Sequence, residues 1–318
     1  MKTDVFDAEE LTLITLAQEY SDNDKARTLL ESLRWPNGEI CPHCKNDGKT
    51  KGIYALRPAP KSKTRKGVHK CGACRKQFTV TVGTVFESSH IPISTWLMAV
   101  FILCSSKKSI SAHQMHRMLK VTYKTAWFMC HRIRYAMGTT DEKNLPQLLG
   151  TVEIDETYVG GKGDPKTKVF RKTPVVALIE RDGIMRSKVV SNVTQKNLGA
   201  IIREHVHKDS ILNTDDSGVY RLKYRDYRRH DIVNHSRFEY IRRNPDGSSS
   251  GVNHCESFFS LLKRGVVGAW HHVSREHLHR YASEFEFRWN HRRIDDGPRM
   301  VKAIQRIEGK RLTYRQTI

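Results

Sequence analysis

The sequence predicts a multidomain chain of mixed α+β and α/β class. N-terminal helices and a small metal-binding β module come first, then a helical region, then a larger domain with a mixed sheet flanked by helices. Three observations lead there. Two Cys-x-x-Cys pairs stand at Cys41/Cys44 and Cys71/Cys74. Apolar residues recur at helical spacing up to Met137, and from Leu148 the period changes to that of strands. The 318 residues, 38% of them apolar, suffice for two or three cores.

The formal charge of +21 creates a field that attracts polyanions, so nucleic acid is the first candidate partner. Basic residues cluster at Lys61 to Lys70 and at Arg221 to Arg229, the latter interleaved with Tyr220, Tyr224 and Tyr227, as a nucleic-acid surface would have them. No apolar run approaches the roughly 18 residues of a membrane span, and the acidic N-terminus lacks a signal-peptide core. The expected location is therefore the cytoplasm, in association with the nucleoid. Of the seven cysteines, Cys104, Cys130 and Cys255 lie in apolar patterns and are expected to be buried.

Glu9 to Leu33 reads as two short helices with a capping stretch at Ser21 to Asp24. Trp35 to Gly38 then turns the chain into Cys41-Pro-His-Cys44. Twenty-six residues separate Cys44 from Cys71. Each pair is a knuckle whose two thiolates can meet one tetrahedral Zn²⁺, so Cys41, Cys44, Cys71 and Cys74 predict one structural zinc. His43 and His69 are substitute ligands that four cysteines make unnecessary. Ile53 to Leu56 and Gln77 to Val82 supply strands, giving a zinc ribbon within a first region of residues 1–90.

Residues 91–140 are expected to be helical. Ser94 to Cys104 is an apolar core helix, and Ser109 to Lys120 and Thr122 to Met137 follow with Ser109 and Thr122 as N-caps. The short connection through Val121 fits a helix-turn-helix. Tyr123 and Lys124 sit where such a helix meets bases and phosphates, although an ordinary helical hairpin fits the pattern equally well.

Polar Gly138 to Gln147 marks a boundary, and residues 148–293 form the third region. A first strand runs from Leu148 into Ile154-Asp155-Glu156. Pro174 to Glu180 and Met185 to Val190 form a hairpin, Gln195 to Val206 a helix, and Ser210 to Thr214 a strand running into Asp215. Asp231 to Asn234 is a last strand, and Gly251 to Lys263 is a helix carrying Asn253, Glu256 and Lys263 on one face. This order predicts a ribonuclease H-like sheet with helices on both faces. In it Asp155 ends the central strand, Asp215 ends its neighbour and Glu256 comes from the helix packed across them. Three such carboxylates suit two Mg²⁺ ions, which prefer oxygen ligands. Glu153 shares the face of Asp155 and is a reserve ligand, while Glu156 points the other way. Residues 294–318 are expected to be a tail.

The segments EIDETYVGGK, TDDSGVY and VNHCESFFSLLKRGVVGAWHHVS, with YASEFEFRWNHR after them and the CPHC and CGAC ribbon before, resemble the DDE transposases of bacterial insertion sequences that have an N-terminal zinc ribbon. The likeness runs in order from about Ser21 to Arg293. It implies that Asp155 and Asp215 are the first two catalytic carboxylates and that glutamate or asparagine is the third, here Glu256 or Asn253. Carboxylate binds Mg²⁺ better than a neutral amide, which favours Glu256. Lys263, seven residues on, and Arg264 are candidate DNA contacts, and His271 and His272 lie in the same stretch. The resemblance further implies cleavage at the element's ends, strand transfer by the freed 3′ hydroxyl, basic loops at Lys162 to Lys172, Arg221 to Arg229 and Arg237 to Arg243 that track DNA, and at least a dimer on DNA. Relatives often carry histidine two residues before the asparagine, where this chain has Gly251. Two rivals remain: a zinc-ribbon and helix-turn-helix regulator with an inactive third domain, and a nuclease that never joins ends.

Overall fold

The computed structural model describes residues 7–57, 65–139, 145–161, 172–220, 224, 226–234, 237 and 239–317. The basic stretch Lys162 to Arg171, residues 61–64 and residues 221–223 and 225 lie outside these, so those expected DNA-tracking loops are described only in part. The chain divides into two compact units, one of residues 1–137 with 293–318 and one of residues 138–292.

In chain order the first unit holds α1 (Leu13–Glu19), α2 (Asn23–Arg34), β1 (Ile53–Leu56), β2 (Val68–Cys71), β3 (Gln77–Phe78), α3 (Ile93–Ser105), α4 (Ala112–Leu119) and α5 (Tyr123–Met137). The second holds β4 (Thr151–Val159), β5 (Thr173–Glu180), β6 (Met185–Val189), α6 (Gln195–His205), β7 (Ile211–Asp215), β8 (Arg229–Val233), β9 (Arg242–Arg243), β10 (Ser249–Ser250), α7 (Asn253–Gly265) and α8 (Leu278–Asn290). Helix α9 (Asp296–Gln305) belongs to the first unit.

Helix α3 is apolar all round, so it becomes the centre of the first unit, with Trp96, Leu97, Val100, Leu103 and Cys104 buried. Asp22 caps α2 by accepting from the amides of Asp24 and Lys25, both at 2.9 Å. Helix α4 starts later than the sequence suggests. Its cap is Ser111, which accepts from Gln114 N at 3.1 Å, whereas Ser109 has a positive φ of 69° and precedes the helix. A three-residue connection with Lys120 in the left-handed region leads to α5, where Thr122 accepts from Thr125 N. The expected strand Gln77 to Val82 shortens to β3, because the amides of Val82 and Thr84 turn back to the carbonyls of Thr79 and Thr81.

Residues 294–318, read from sequence as a tail, form α9 and a short 3-10 turn. They close the open end of α5. Lys310 Nζ donates to Ala136 O at 2.7 Å and Arg306 Nη1 to Met137 O at 3.0 Å, so two basic side chains meet last-turn carbonyls that have no helical partner.

The second unit is built on a five-stranded sheet of order β6-β5-β4-β7-β8. Strands β4, β5 and β6 pair antiparallel, while β4 with β7 and β7 with β8 pair parallel. This mixed sheet with helices on both faces fits the expected ribonuclease H-like domain. Two cores follow from strand alternation. Val175, Ala177 and Ile179 pack with α7 and α8. Val152, Ile154, Val176 and Leu178 pack with α6 on the opposite face. The alternation sends Glu153 and Asp155 toward α7. The apolar face of α8, Leu278, Tyr281, Ala282, Phe285 and Trp289, repeats at helical spacing. At the sheet edge Asn290 accepts from Met185 N and donates to Met185 O, and Glu286 accepts from Ser187 N, so α8 satisfies the free side of β6.

Candidate functional site

In the ribbon, Cys41, Cys44, Cys71 and Cys74 bring their sulfurs within 4.8 Å of one another. Cys41 to Cys74 and Cys44 to Cys71 are each 3.7 Å apart. A tetrahedral Zn²⁺ with bonds of about 2.3 Å requires sulfurs about 3.8 Å apart, so the spacing fits the ion. Hydrogen bonds from the Cys74 and Ala73 amides pull the Cys71 thiol down to about 6, the thiolate form that zinc takes. Gly72 is needed here, because a Cβ would stand 2.7 Å from the carbonyl oxygen of Gly52. Neither histidine joins the set. His43 faces Gln77 O at 3.3 Å, and His69 is buried between Trp35 and Phe78.

In the second unit the acidic residues gather at the centre of the sheet. Asp155 lies in the middle of β4 rather than at its end, because β4 continues to pair with β5 as far as Val159. Its pairing with β7 stops at Glu153, opposite Asn213, which leaves Asp155 just past the reach of that neighbour. Asp215 is the last residue of β7. Burial first, and then the charges of Asp215, Glu156 and Glu256, push the Asp155 carboxyl up to about 8, against a 2.7 Å hydrogen bond from the Glu156 amide. Glu156 itself points to the opposite face, where Tyr220 holds it, so the carboxylates that share the α7 side with Asp155 are Asp215 and Glu256, and a hard divalent cation would relieve their repulsion. Among the described residues the four cysteines bring their ligand atoms within 4.8 Å of one another, and the carboxylates of Asp155, Asp215 and Glu256 do not.

Glu256 is exposed in the first turn of α7, and Asn253 is half-buried at the helix start. Lys263 and Arg264 are exposed in the last turn, and Arg264 bonds back to Ser260. Tyr123 and Lys124 are exposed at the start of α5. There Tyr123 stacks on His113 at 4.2 Å and Lys124 lies 4.6 Å over the Tyr314 ring.

Several contacts escape sequence reasoning. Tyr220 is fully buried and its hydroxyl donates to Glu156, which ties the loop after Asp215 to β4 and explains the tyrosine five residues on. Tyr224 and Tyr227 are buried beside it, so the three interleaved tyrosines are core rather than stacking platforms. Glu153 is not held in reserve: Arg181 and His254 occupy its carboxylate. Gly251 leaves no room for the histidine that the resemblance leads one to expect there, since a Cβ would stand 2.9 Å from Tyr240 O.

A sheet of this order with an acidic cluster at its centre, in one chain with a four-cysteine ribbon, fits the class of transposases built on a ribonuclease H-like domain. Residues 147–290 match the ISXO2-like transposase domain, and residues 21–77 match the transposase zinc-ribbon domain. An uncharacterized protein in transposable element ISH50 of Halobacterium salinarum is 27% identical over 284 residues, which cover 83% of this chain and 90% of that one. The chain belongs to the insertion-sequence transposases with an N-terminal zinc ribbon. Among the described residues, no helix is long and apolar enough to cross a membrane.

Proposed function

We propose that this transposase cleaves the ends of its insertion sequence and joins the freed 3′ hydroxyl to target DNA, with Asp155, Asp215 and Glu256 as ligands for two Mg²⁺ ions. The observation that supports this reading is the placement of Asp155 on β4 just past its pairing with β7, of Asp215 at the end of β7 and of Glu256 in the first turn of α7, the helix packed on the sheet face that carries Asp155. Bound there, Mg²⁺ would activate the attacking oxygen and stabilise the leaving 3′ oxygen at the phosphodiester. The protein's part is positioning. Asp155 and Asp215 are fixed on adjacent strands, and Glu256 is brought over them by a helix whose Cys255, Phe258, Phe259 and Leu262 are buried.

Asn253 is a neighbouring site residue on the same helix. Lys263 and Arg264 are exposed to meet phosphates, Lys263 lying two turns beyond Glu256. Tyr123 and Lys124 contact DNA from α5, taken as the second helix of a helix-turn-helix. One structural zinc holds the ribbon. Two DNA ends must meet in the reaction, so the working form is at least a dimer on DNA, and the location is the cytoplasm and nucleoid. No covalent enzyme intermediate and no ATP are required.

The test is cleavage and joining on a supercoiled plasmid carrying the element's ends, with Mg²⁺. Asp155→Ala, Asp215→Ala and Glu256→Ala should abolish both steps while end binding persists. Full activity in Glu256→Ala with loss in Asn253→Ala would move the third ligand to Asn253. DNA binding by the parent without any cleavage would favour a regulator.

A further inference from the structure

We propose that Glu153 is a positioning residue that clamps the start of α7 onto β4 and thereby sets Glu256 against Asp155 for divalent-metal binding. The proposal rests on the metal-site reading above and adds the device that assembles the site.

Glu153 stands on the central strand with its side chain 1% exposed, and all its partners come from other elements. Its Oε2 accepts the backbone amide of His254 at 2.8 Å. Its Oε1 accepts His254 Nδ1 at 2.9 Å and Arg181 Nε at 2.8 Å. Helix α7 has no capping side chain of its own, since its N-cap is Val252. The sheet therefore supplies the acceptor that an Asp or Ser would normally provide locally, and places a negative charge at the positive end of the helix dipole.

Arg181, at the β5–β6 turn, extends the clamp. Its guanidinium donates to Ser249 Oγ at 3.2 Å and to Gly251 O at 3.3 Å, and its own amide donates to Thr151 O at 2.9 Å. With its amide oriented to satisfy both ends, Asn213 on β7 accepts from Gly251 N at 3.3 Å and from Arg181 Nη2 at 3.1 Å. Both strands that carry a proposed ligand are thus tied to the segment entering α7.

The spacing gives the clamp its leverage. Glu153 lies two residues before Asp155 on the same strand face, about 7 Å away, and His254 lies two residues before Glu256. A slip of α7 by one residue would rotate Glu256 by about 100°. Removing a buried ion pair altogether is often nearly neutral for stability, so such a set of bonds is better accounted for by the geometry that it enforces.

The experiment uses the full chain and compares the parent, Glu153→Gln, Glu153→Asp, His254→Ala and Asp155→Ala. Mn²⁺ affinity is measured by calorimetric titration, amide hydrogen exchange by mass spectrometry, and DNA-end affinity and thermal unfolding in parallel. A glutamine amide turns donors toward Arg181 and the His254 amide. Glu153→Gln should therefore weaken Mn²⁺ binding about tenfold or more and speed exchange first and most at residues 253–256, with end binding near the parent's and a lowered unfolding midpoint, since Arg181 loses its buried partner. Glu153→Asp, which keeps the charge, should fall between. His254→Ala changes an exposed side chain, so it tests the clamp without disturbing a core, and a smaller loss of Mn²⁺ affinity is expected.

Parent-like Mn²⁺ affinity in both Glu153→Gln and His254→Ala would overturn the proposal. Exchange that rises across the whole sheet, and not at the start of α7, would overturn it too, by reducing Glu153 to a fold-stabilising residue. Mn²⁺ binding that Asp155→Ala leaves unchanged would sink the metal-site reading itself, and the positioning role with it.

Discussion

Asp155→Asn should make the metal-free protein more stable, and increasingly so as pH rises. The Asp155 carboxyl titrates near 8 in the fold, because burial and then Asp215, Glu156 and Glu256 oppose its charge, against an ordinary value of 3.8. Between those values the folded state holds a proton that the unfolded state has lost, so stability falls as pH rises and the full penalty stands above pH 8. Four units at 1.36 kcal/mol each would cost about 6 kcal/mol. Asp155 is partly exposed, and water and counter-ions screen the cluster, so we expect about half of that, roughly 3 kcal/mol. Asparagine keeps the shape and removes the charge. Urea denaturation in EDTA should give equal midpoints for parent and variant near pH 4 and a clear advantage for the variant at pH 9. Mg²⁺ at ten times its dissociation constant should return about 1.4 kcal/mol to the parent and nothing to the variant. Equal stability of the two proteins at pH 9 in EDTA would refute the reasoning, because the carboxylates would then not be crowded.

Other consequences are equally open to measurement. Cys71→Ser removes one of four sulfurs, and bound zinc measured by elemental analysis should fall from one per chain to well under half, with the ribbon becoming protease-sensitive. Gly251→His should cost about 1–3 kcal/mol in denaturation, since the new Cβ would press on the Tyr240 carbonyl; a neutral result would mean that the hairpin β9–β10 yields freely. Burial, with Arg306 nearby, pulls the Lys310 ammonium down to about 7, so the unfolded chain binds the extra proton between there and about 10.5 and parent stability rises with pH across that window. Lys310→Met should flatten the rise by about 2 kcal/mol between pH 6 and 9, and an unchanged slope would count against it.

What was legible in the sequence depended on how local the cause was. Strands β4, β5 and β7 and helix α3 announce themselves because each buries most of its own side chains, and the two cysteine knuckles because their spacing is itself the geometry. Gln77 to Val82 misled because alternating threonine and valine suits a strand, while the threonine carbonyls instead accept amides three residues on and close turns. Helix α9 and the capping of α5 were hidden, because the carbonyls that Lys310 and Arg306 satisfy lie 174 and 169 residues away in sequence. The same holds for Glu153. Its partners Arg181 and His254 stand 28 and 101 residues away, and nothing near Glu153 says that its charge will be used for docking.

The choice between Glu256 and Asn253 as third ligand can be argued further from the helix that carries both. Glu256 sits in the first turn of α7, where unpaired amides and the helix dipole favour a negative charge. Its charge adds, after burial and the charges of Asp215 and Glu156, to the rise of the Asp155 carboxyl, while its side chain stays exposed and open to an ion. Asn253 is the first residue of the helix, half-buried beside the Glu153 clamp, and its amide can offer only a neutral oxygen. An ion held by two aspartates gains more from a third anion that the helix already stabilises than from an amide, unless that anion is needed elsewhere. Glu256→Gln separates the alternatives. It keeps an oxygen at the same reach and removes the charge, so a charge-dependent ligand should lose most of its Mn²⁺ affinity, whereas a bystander beside Asn253 should lose little.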